Sequence, residues 1–200
     1  MKQDHKKYII NIQDSKGLKL PAKKNNSDAY YDVWATSEPE VKGELSDGSN
    51  YEGHLRPNNL PFHSIDYIQY RTGLFVEPVC VQKSVFHLFE EKIASYLHLK
   101  VLPRSSVSKY NLLLANSQGI IDHDYRMEIL IRFKYVFQPK DIHIERNSDS
   151  FYMLIDYNKI YNKGDRICQL TVEENNDIVW NRVEKLDETD RGGFGSTGEK

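Results

Sequence analysis

The sequence predicts an all-β domain, and three observations carry that prediction. Its apolar residues fall in short runs rich in β-branched and aromatic side chains. Turn-forming clusters divide the runs, among them SDG at 46–48, PNN at 57–59, NSD at 147–149 and NKGD at 162–165. The length, 200 residues with 39% hydrophobic content, suits one domain that buries a core without covalent staples. Many short strands separated by turn chemistry describe a sandwich or a barrel.

In chain order the candidate strands are YIINI (8–12), YYDVWA (30–35), IDYIQY (65–70), GLFVEPV (73–79) and LHLKVL (97–102). EILIRFKYVF (128–137), DIHIE (141–145), FYMLI (151–155), RICQLTV (166–172) and IVWNRV (178–183) follow. One segment departs from this pattern. In SVFHLFEEKIASYL (84–97), Val85, Phe86, Phe89, Ile93, Tyr96 and Leu97 recur at near-helical spacing, with Ser84 placed to cap the first turn. One short helix is expected there, serving packing. Residues 37–61 and 138–150 are polar and turn-rich, and are expected to be surface excursions. From residue 187 onward the chain carries four glycines and one aromatic, too little for a packed element.

Composition excludes several function classes. A net charge of −2 argues against a general nucleic-acid binder, whose phosphate contacts need a basic surface. Two cysteines, Cys80 and Cys168, provide no disulfide framework. MKQDHKKYIINI lacks the features of a signal or transit peptide, and no stretch has the length of a membrane span. The expected setting is therefore cytoplasmic or nuclear, without membrane or direct nucleic-acid partners.

Three stretches could hold chemistry. GIIDHDYR (119–126) drives an apolar run into Asp122, His123 and Asp124, which suits a polar hairpin tip or the edge of an active site. The spacing of a calcium-binding EF-hand loop is missing, and the scattered histidines and distant cysteines make zinc unlikely. PRSS (103–106) offers an arginine fork beside serine hydroxyls, a donor set for phosphate oxygens or an ordinary capped turn. GGFGSTG (192–198) combines backbone that a ligand can approach closely with a stacking face at Phe194.

Together with AYYD (29–32) and GDRICQL (164–170), these segments resemble the five ordered motifs of the trimeric deoxyuridine triphosphatases (dUTPases). The resemblance runs from about Leu20 to the C-terminus. It implies a jelly-roll-like β-barrel over 1–186, carrying insertions near 37–61 and 138–163, followed by a flexible Gly-rich arm at 187–200. It also implies a homotrimer with active sites between subunits. The implied reaction is hydrolysis of dUTP to dUMP and pyrophosphate with Mg²⁺ on the triphosphate, which limits uracil incorporation into DNA and supplies dUMP.

Carried over by motif, Asp122 would be the general base for water attacking the α-phosphorus. Asn116 and Gly119 would belong to the hairpin that holds uracil, and Tyr125 would pack on the deoxyribose and exclude a 2′-hydroxyl. Arg104, Ser105, Ser106 and Gln169 would contact phosphates, while Asp32 would reach Mg²⁺ through water. In the arm, Phe194 would stack on uracil, with Gly195, Ser196 and Thr197 close to the nucleotide and Arg191 directed to the γ-phosphate.

The chain departs from the family pattern at three places. Tyr30 and Met127 stand where the family has glycine, so a different local backbone is expected at each. The arm is two residues shorter between Arg191 and the Gly-Phe core, and two residues span at most about 7 Å. Weakened preference for dUTP over dUDP follows, unless Arg191 reaches by another route or Arg182 or Lys185 substitutes. Two rival readings are a dCTP deaminase of the same superfamily and a non-enzymatic interaction protein that retains the fold. The first needs a glutamate where Asp122 stands. The second has no use for Asp122, Asn116, Tyr125, Arg104 and Gln169 together.

Overall fold

A computed structural model describes residues 6–13, 17–55, 60–83, 90–92, 95–145 and 150–187, with 82–83 and 90–92 described through the backbone alone. Among the described residues fourteen strands form three sheets. The first is β1 (Lys6–Ile12), β6 (Val76–Lys83) and β7 (Glu90–Lys92), with β6 in the middle. The second runs in the order β10 (Gly119–Ile121), β8 (Leu97–Pro103), β14 (Arg166–Glu174) and β2 (Tyr31–Trp34). The third follows β12 (Ile142–Ile144), β13 (Phe151–Met153), β5 (Phe62–Arg71), β11 (Leu130–Tyr135) and β9 (Leu112–Leu114). In that sheet β3 (Glu40–Leu45) pairs with both β5 and β4 (Asn50–His54). The class is all-β, as the sequence predicts, but the sheets are not closed into one continuous barrel.

Alternation explains most strands. In β8, Leu97, Leu99 and Val101 are buried while His98 and Lys100 are less covered. In β11, Ile131, Phe133 and Tyr135 face the core and Arg132 and Lys134 face out. Each such aliphatic side chain contributes roughly 2 kcal/mol on burial. At the centre, Tyr70 meets Phe133 and Tyr161 edge-on, with ring centroids 5.8 and 6.2 Å apart. The Tyr70 hydroxyl donates to the carbonyl of Tyr161 at 3.0 Å, so its polar end is satisfied in the core.

Three expectations are corrected. Strand β7 occupies Glu90–Lys92 and β8 begins at Leu97, inside the stretch expected to be helical. Residues 84–89 and 93–94 of that stretch lie outside the described residues. Of the apolar residues that set the helical spacing, only Tyr96 and Leu97 are described: Tyr96 is exposed and Leu97 is buried at the start of β8. The polar segment 37–61 is not a mere excursion, since it supplies β3 and β4 and buries Val41 and Leu55. A would-be Cβ on Gly43 would lie 2.2 Å from the Ser64 carbonyl oxygen, so glycine alone permits the bulged β3–β5 pairing there. The segment 138–150 keeps largely to the surface as expected, with Ile142 and Ile144 exposed, and one residue anchors it. Asp141 is buried and accepts from the Tyr135 hydroxyl at 3.1 Å and the Gln138 N–H at 2.8 Å. Finally, IVWNRV (178–183) forms no strand, and Ile178, Val179, Trp180 and Val183 are exposed. Among the described residues no helix is long and apolar enough to cross a membrane.

Candidate active site

Gln169 on β14 stands in register with Asp32 on β2 and Leu102 on β8, so three strands meet in one row. Beyond Pro103, the chain turns into a short 3-10 segment, Ser105–Lys109, with Arg104 extended at its N-cap. Arg104 Nε donates to Asp32 Oδ1 at 2.8 Å, and Gln169 Nε2 donates to the same oxygen at 3.3 Å. Arg166 Nη1 donates to Asp32 Oδ2 at 3.0 Å. Arg104 Nη1 also donates to Ser106 Oγ at 3.2 Å. Asp32 is only 7% exposed, and two guanidinium groups offset the cost of taking its charge from water.

Arg166 is a site residue that motif reasoning did not single out. In a regular strand, residues 166 and 169 would face opposite sides. The β2–β14 register shifts between Arg166 and Cys168, placing Ile167 and Cys168 both in the core. That bulge changes the parity, so Arg166 and Gln169 both reach Asp32. An arginine directly after the Asn162–Asp165 turn is the signal in the sequence.

A second group lies on the hairpin between β9 and β10. Ser117 at its tip takes the left-handed conformation, φ 53°, and its N–H donates to the Leu114 carbonyl at 2.9 Å. Behind the tip is a cavity of about 250 Å³, lined by Val101, Leu114, Asn116, Gly119, Ile121 and Arg132 among others. It is smaller than pockets for drug-sized ligands, and its scale suits one planar heterocycle. Gly119 keeps the space open: a Cβ there would sit 3.2 Å from Val101 Cβ and 3.5 Å from Asn116 Nδ2.

Strand β10 runs from this cavity to Asp122, which is exposed. The Asp122 carbonyl accepts from the Tyr125 N–H at 3.1 Å, and the Tyr125 hydroxyl donates to the Glu128 carbonyl at 3.0 Å. Ser117 is the one non-glycine residue of positive φ among the described residues. Tyr30 and Met127 therefore stand at the family's glycine positions on ordinary backbone, and Met127 accommodates its bulk by pointing into solvent.

One chain does not bring all these residues together. Gly119 pairs with Val101 and Ile121 with Leu99, and the Leu97 N–H donates to His123 Nδ1 at 3.2 Å. The Asp122 end of the hairpin thus lies beside the start of β8, while Arg104 follows its end. Seven residues of strand separate them, about 20 Å. Asp32, Arg104, Ser106 and Gln169 form one group; Asn116, Gly119, Asp122 and Tyr125 form another. Ser105 is exposed, and its carbonyl accepts from Ser108 Oγ at 3.0 Å. Arg191, Phe194, Gly195, Ser196 and Thr197 lie outside the described residues.

The donor set also bears on magnesium. Among the described residues no group of three or more His, Cys, Asp or Glu could hold a metal ion. Both Asp32 oxygens already accept hydrogen bonds. A cage built from protein ligands does not fit, whereas an ion carried by phosphate oxygens and water, with Asp32 at one remove, suits this chemistry.

No protein-family model matches the chain. It is 33% identical over 131 residues to the deoxyuridine 5′-triphosphate nucleotidohydrolase of Maricaulis maris, covering 62% of this chain and 74% of that protein. The dUTPase of Staphylococcus bacteriophage 80alpha, solved with dUPNHPP, superposes with a TM-score of 0.57 at 21% identity. That match covers 96% of this chain and 98% of the phage protein. A mutant dUTPase from phage phi11 of S. aureus, which coordinates a structural Mg(II) ion, superposes with a TM-score of 0.53 at 17% identity over 90% of this chain and 98% of its own. At these identities the solved structures speak for the fold, and the sequence relative speaks for descent. The chain belongs to the deoxyuridine 5′-triphosphate nucleotidohydrolase family.

Proposed function

We propose that this protein is a dUTP diphosphatase that hydrolyses dUTP to dUMP and pyrophosphate. The observation that carries this reading is β10, a single strand that opens a heterocycle-sized cavity at Gly119 and delivers a carboxylate at Asp122. Uracil would occupy the cavity beside Asn116, and the Tyr125 ring would lie on the deoxyribose, leaving no room for a 2′-hydroxyl. Asp122 would take a proton from water as its oxygen bonds to the α-phosphorus. The α–β bridging P–O bond breaks, and pyrophosphate departs with the electron pair.

Arg104, Ser105, Ser106, Gln169 and Arg166 would supply donors to the phosphate oxygens, where charge builds in the transition state. Asp32 would hold Mg²⁺ through water, and when bound the ion neutralises triphosphate charge. The arm would close over the nucleotide, with Phe194 on uracil, Gly195, Ser196 and Thr197 near phosphate, and Arg191 toward the γ-phosphate.

The separation of Asp122 from Arg104 supports a homotrimer with its sites between subunits. One copy would give the Asp122 hairpin and a second the Arg104 cluster. Pyrophosphate release from dUTP with Mg²⁺, measured beside UTP, dTTP and dCTP, tests the function. Fast turnover selective for dUTP is expected. A folded protein without turnover, or one that releases ammonia from dCTP, would reject it.

A further inference from the structure

We infer that His123 and Glu128 are positioning residues, His123 for Asp122 and Glu128 for Tyr125, an inference that rests on the function proposed above. Asp122 is exposed, and among the described residues no side-chain hydrogen bond of its own holds it. Its carboxylate can be no better placed than the loop that carries it. That loop is tied to the frame through His123, through Glu128 and through the more exposed ion pair of Arg126 Nη2 with Glu77 Oε1 at 3.6 Å. None of these residues lines the cavity, and the first two act on Asp122 and Tyr125 most directly.

The first tie is His123. The Leu97 N–H donates to its Nδ1 at 3.2 Å, which leaves the ring proton on Nε2. Leu97 is wholly buried at the start of β8, so the donor is fixed. Tyr96 braces the imidazole edge-on, with centroids 5.4 Å apart and planes at 89°. Being next in sequence, Asp122 takes its place from this anchor.

The second tie is Glu128, whose side chain is 13% exposed. One oxygen accepts from Arg71 Nη1 at 2.8 Å, and the other accepts from the Gly73 N–H at 2.9 Å. Its neighbour Ile129 is stitched to the same segment, with its N–H on the Leu74 carbonyl at 2.9 Å and its carbonyl on Thr72 Oγ1 at 2.6 Å. The Glu128 carbonyl is the acceptor for the Tyr125 hydroxyl, so the ring inherits its position from Glu128. A packing role alone would lower stability for both residues. Positioning splits the effects, because one anchor serves the base and the other the sugar-facing ring.

The test uses the full chain and four readouts: kcat and KM for dUTP, the dUTP-over-UTP ratio of kcat/KM, and Tm. His123→Ala is expected to lower kcat about tenfold, the scale of a small misplacement of a reacting group, with KM and the ratio unchanged. His123→Asn, whose Oδ1 can accept from Leu97, restores most of that loss. Glu128→Gln keeps an acceptor for Gly73 but loses the ion pair, and is expected to lower the ratio about tenfold with a smaller change in kcat. Wild-type kinetics in His123→Ala, no rescue by Asn, or an intact ratio in Glu128→Gln overturns the inference. A wild-type chain that fails to turn over dUTP overturns the underlying function and this inference with it.

Discussion

Arg104 and Asp32 meet across the intervening strand β14, with Nε 2.8 Å from Oδ1, and this pair is the centre of the cluster to which we assign the phosphates. Asp32 also accepts from Arg166 and Gln169. Asp32→Asn would leave two guanidinium groups without their anion and turn an amide N–H₂ toward one of them. Because Arg166 is partly exposed and screened, the expected loss is about 2 kcal/mol rather than the larger cost of a fully buried pair. Denaturant unfolding measures it, and turnover should fall in the same variant.

Gly119→Ala tests the cavity. The added methyl would press on Val101 and Asn116 and narrow the space assigned to uracil. KM for dUTP is expected to rise about tenfold, a cost on the scale of overpacking by one methyl group, with little change in kcat. Steady-state kinetics checks it.

Gly43→Ala tests the β3–β5 bulge. Its Cβ would lie 2.2 Å from a backbone oxygen that cannot rotate away, so the strands must separate. A loss of roughly 3 kcal/mol, or failure to fold, is expected. Thermal unfolding reports the result.

Trp180→Ala tests the proposed self-association. Trp180 is 89% exposed and Val179 91%, so neither is buried among the described residues. Large aromatic side chains left bare in this way mark interaction surfaces. The substitution is expected to weaken self-association by about 2 kcal/mol without lowering Tm at concentrations where the chain is monomeric. Sedimentation over a dilution series measures it.

Much of this architecture was legible in the sequence. β2, β5, β8, β11 and β14 follow from runs of apolar residues, because each run buries at least two of them, and β1 follows from YIINI, whose Ile10 and Ile12 pack half-buried against the core. β3 and β4 were hidden because Lys42, Gly43, Glu44 and Glu52 make a polar ribbon whose burial depends on β5, a partner distant in sequence. IVWNRV misled for the opposite reason: its apolar residues Ile178, Val179, Trp180 and Val183 stay exposed among the described residues. At the site, Asp32, Arg104 and Gln169 were readable from motifs. Arg166 was not, because a strand bulge decides which way it faces. Two anchors of the Asp122 loop, His123 and Glu128, depend on contacts with Leu97, Arg71 and Gly73 that no local pattern announces.

The most direct test of the central claim mixes two inactive variants. Asp122→Asn removes the proposed base, and Arg104→Gln removes the proposed phosphate donor at the other end of the sheet. Each is first shown to be trimeric and inactive on dUTP, then unfolded, mixed one to one and refolded together. If each site takes Asp122 from one copy and Arg104 from another, on the order of a quarter of the sites regain both groups and activity returns in that proportion. Mixed trimers verified by mass that remain inactive would contradict the account.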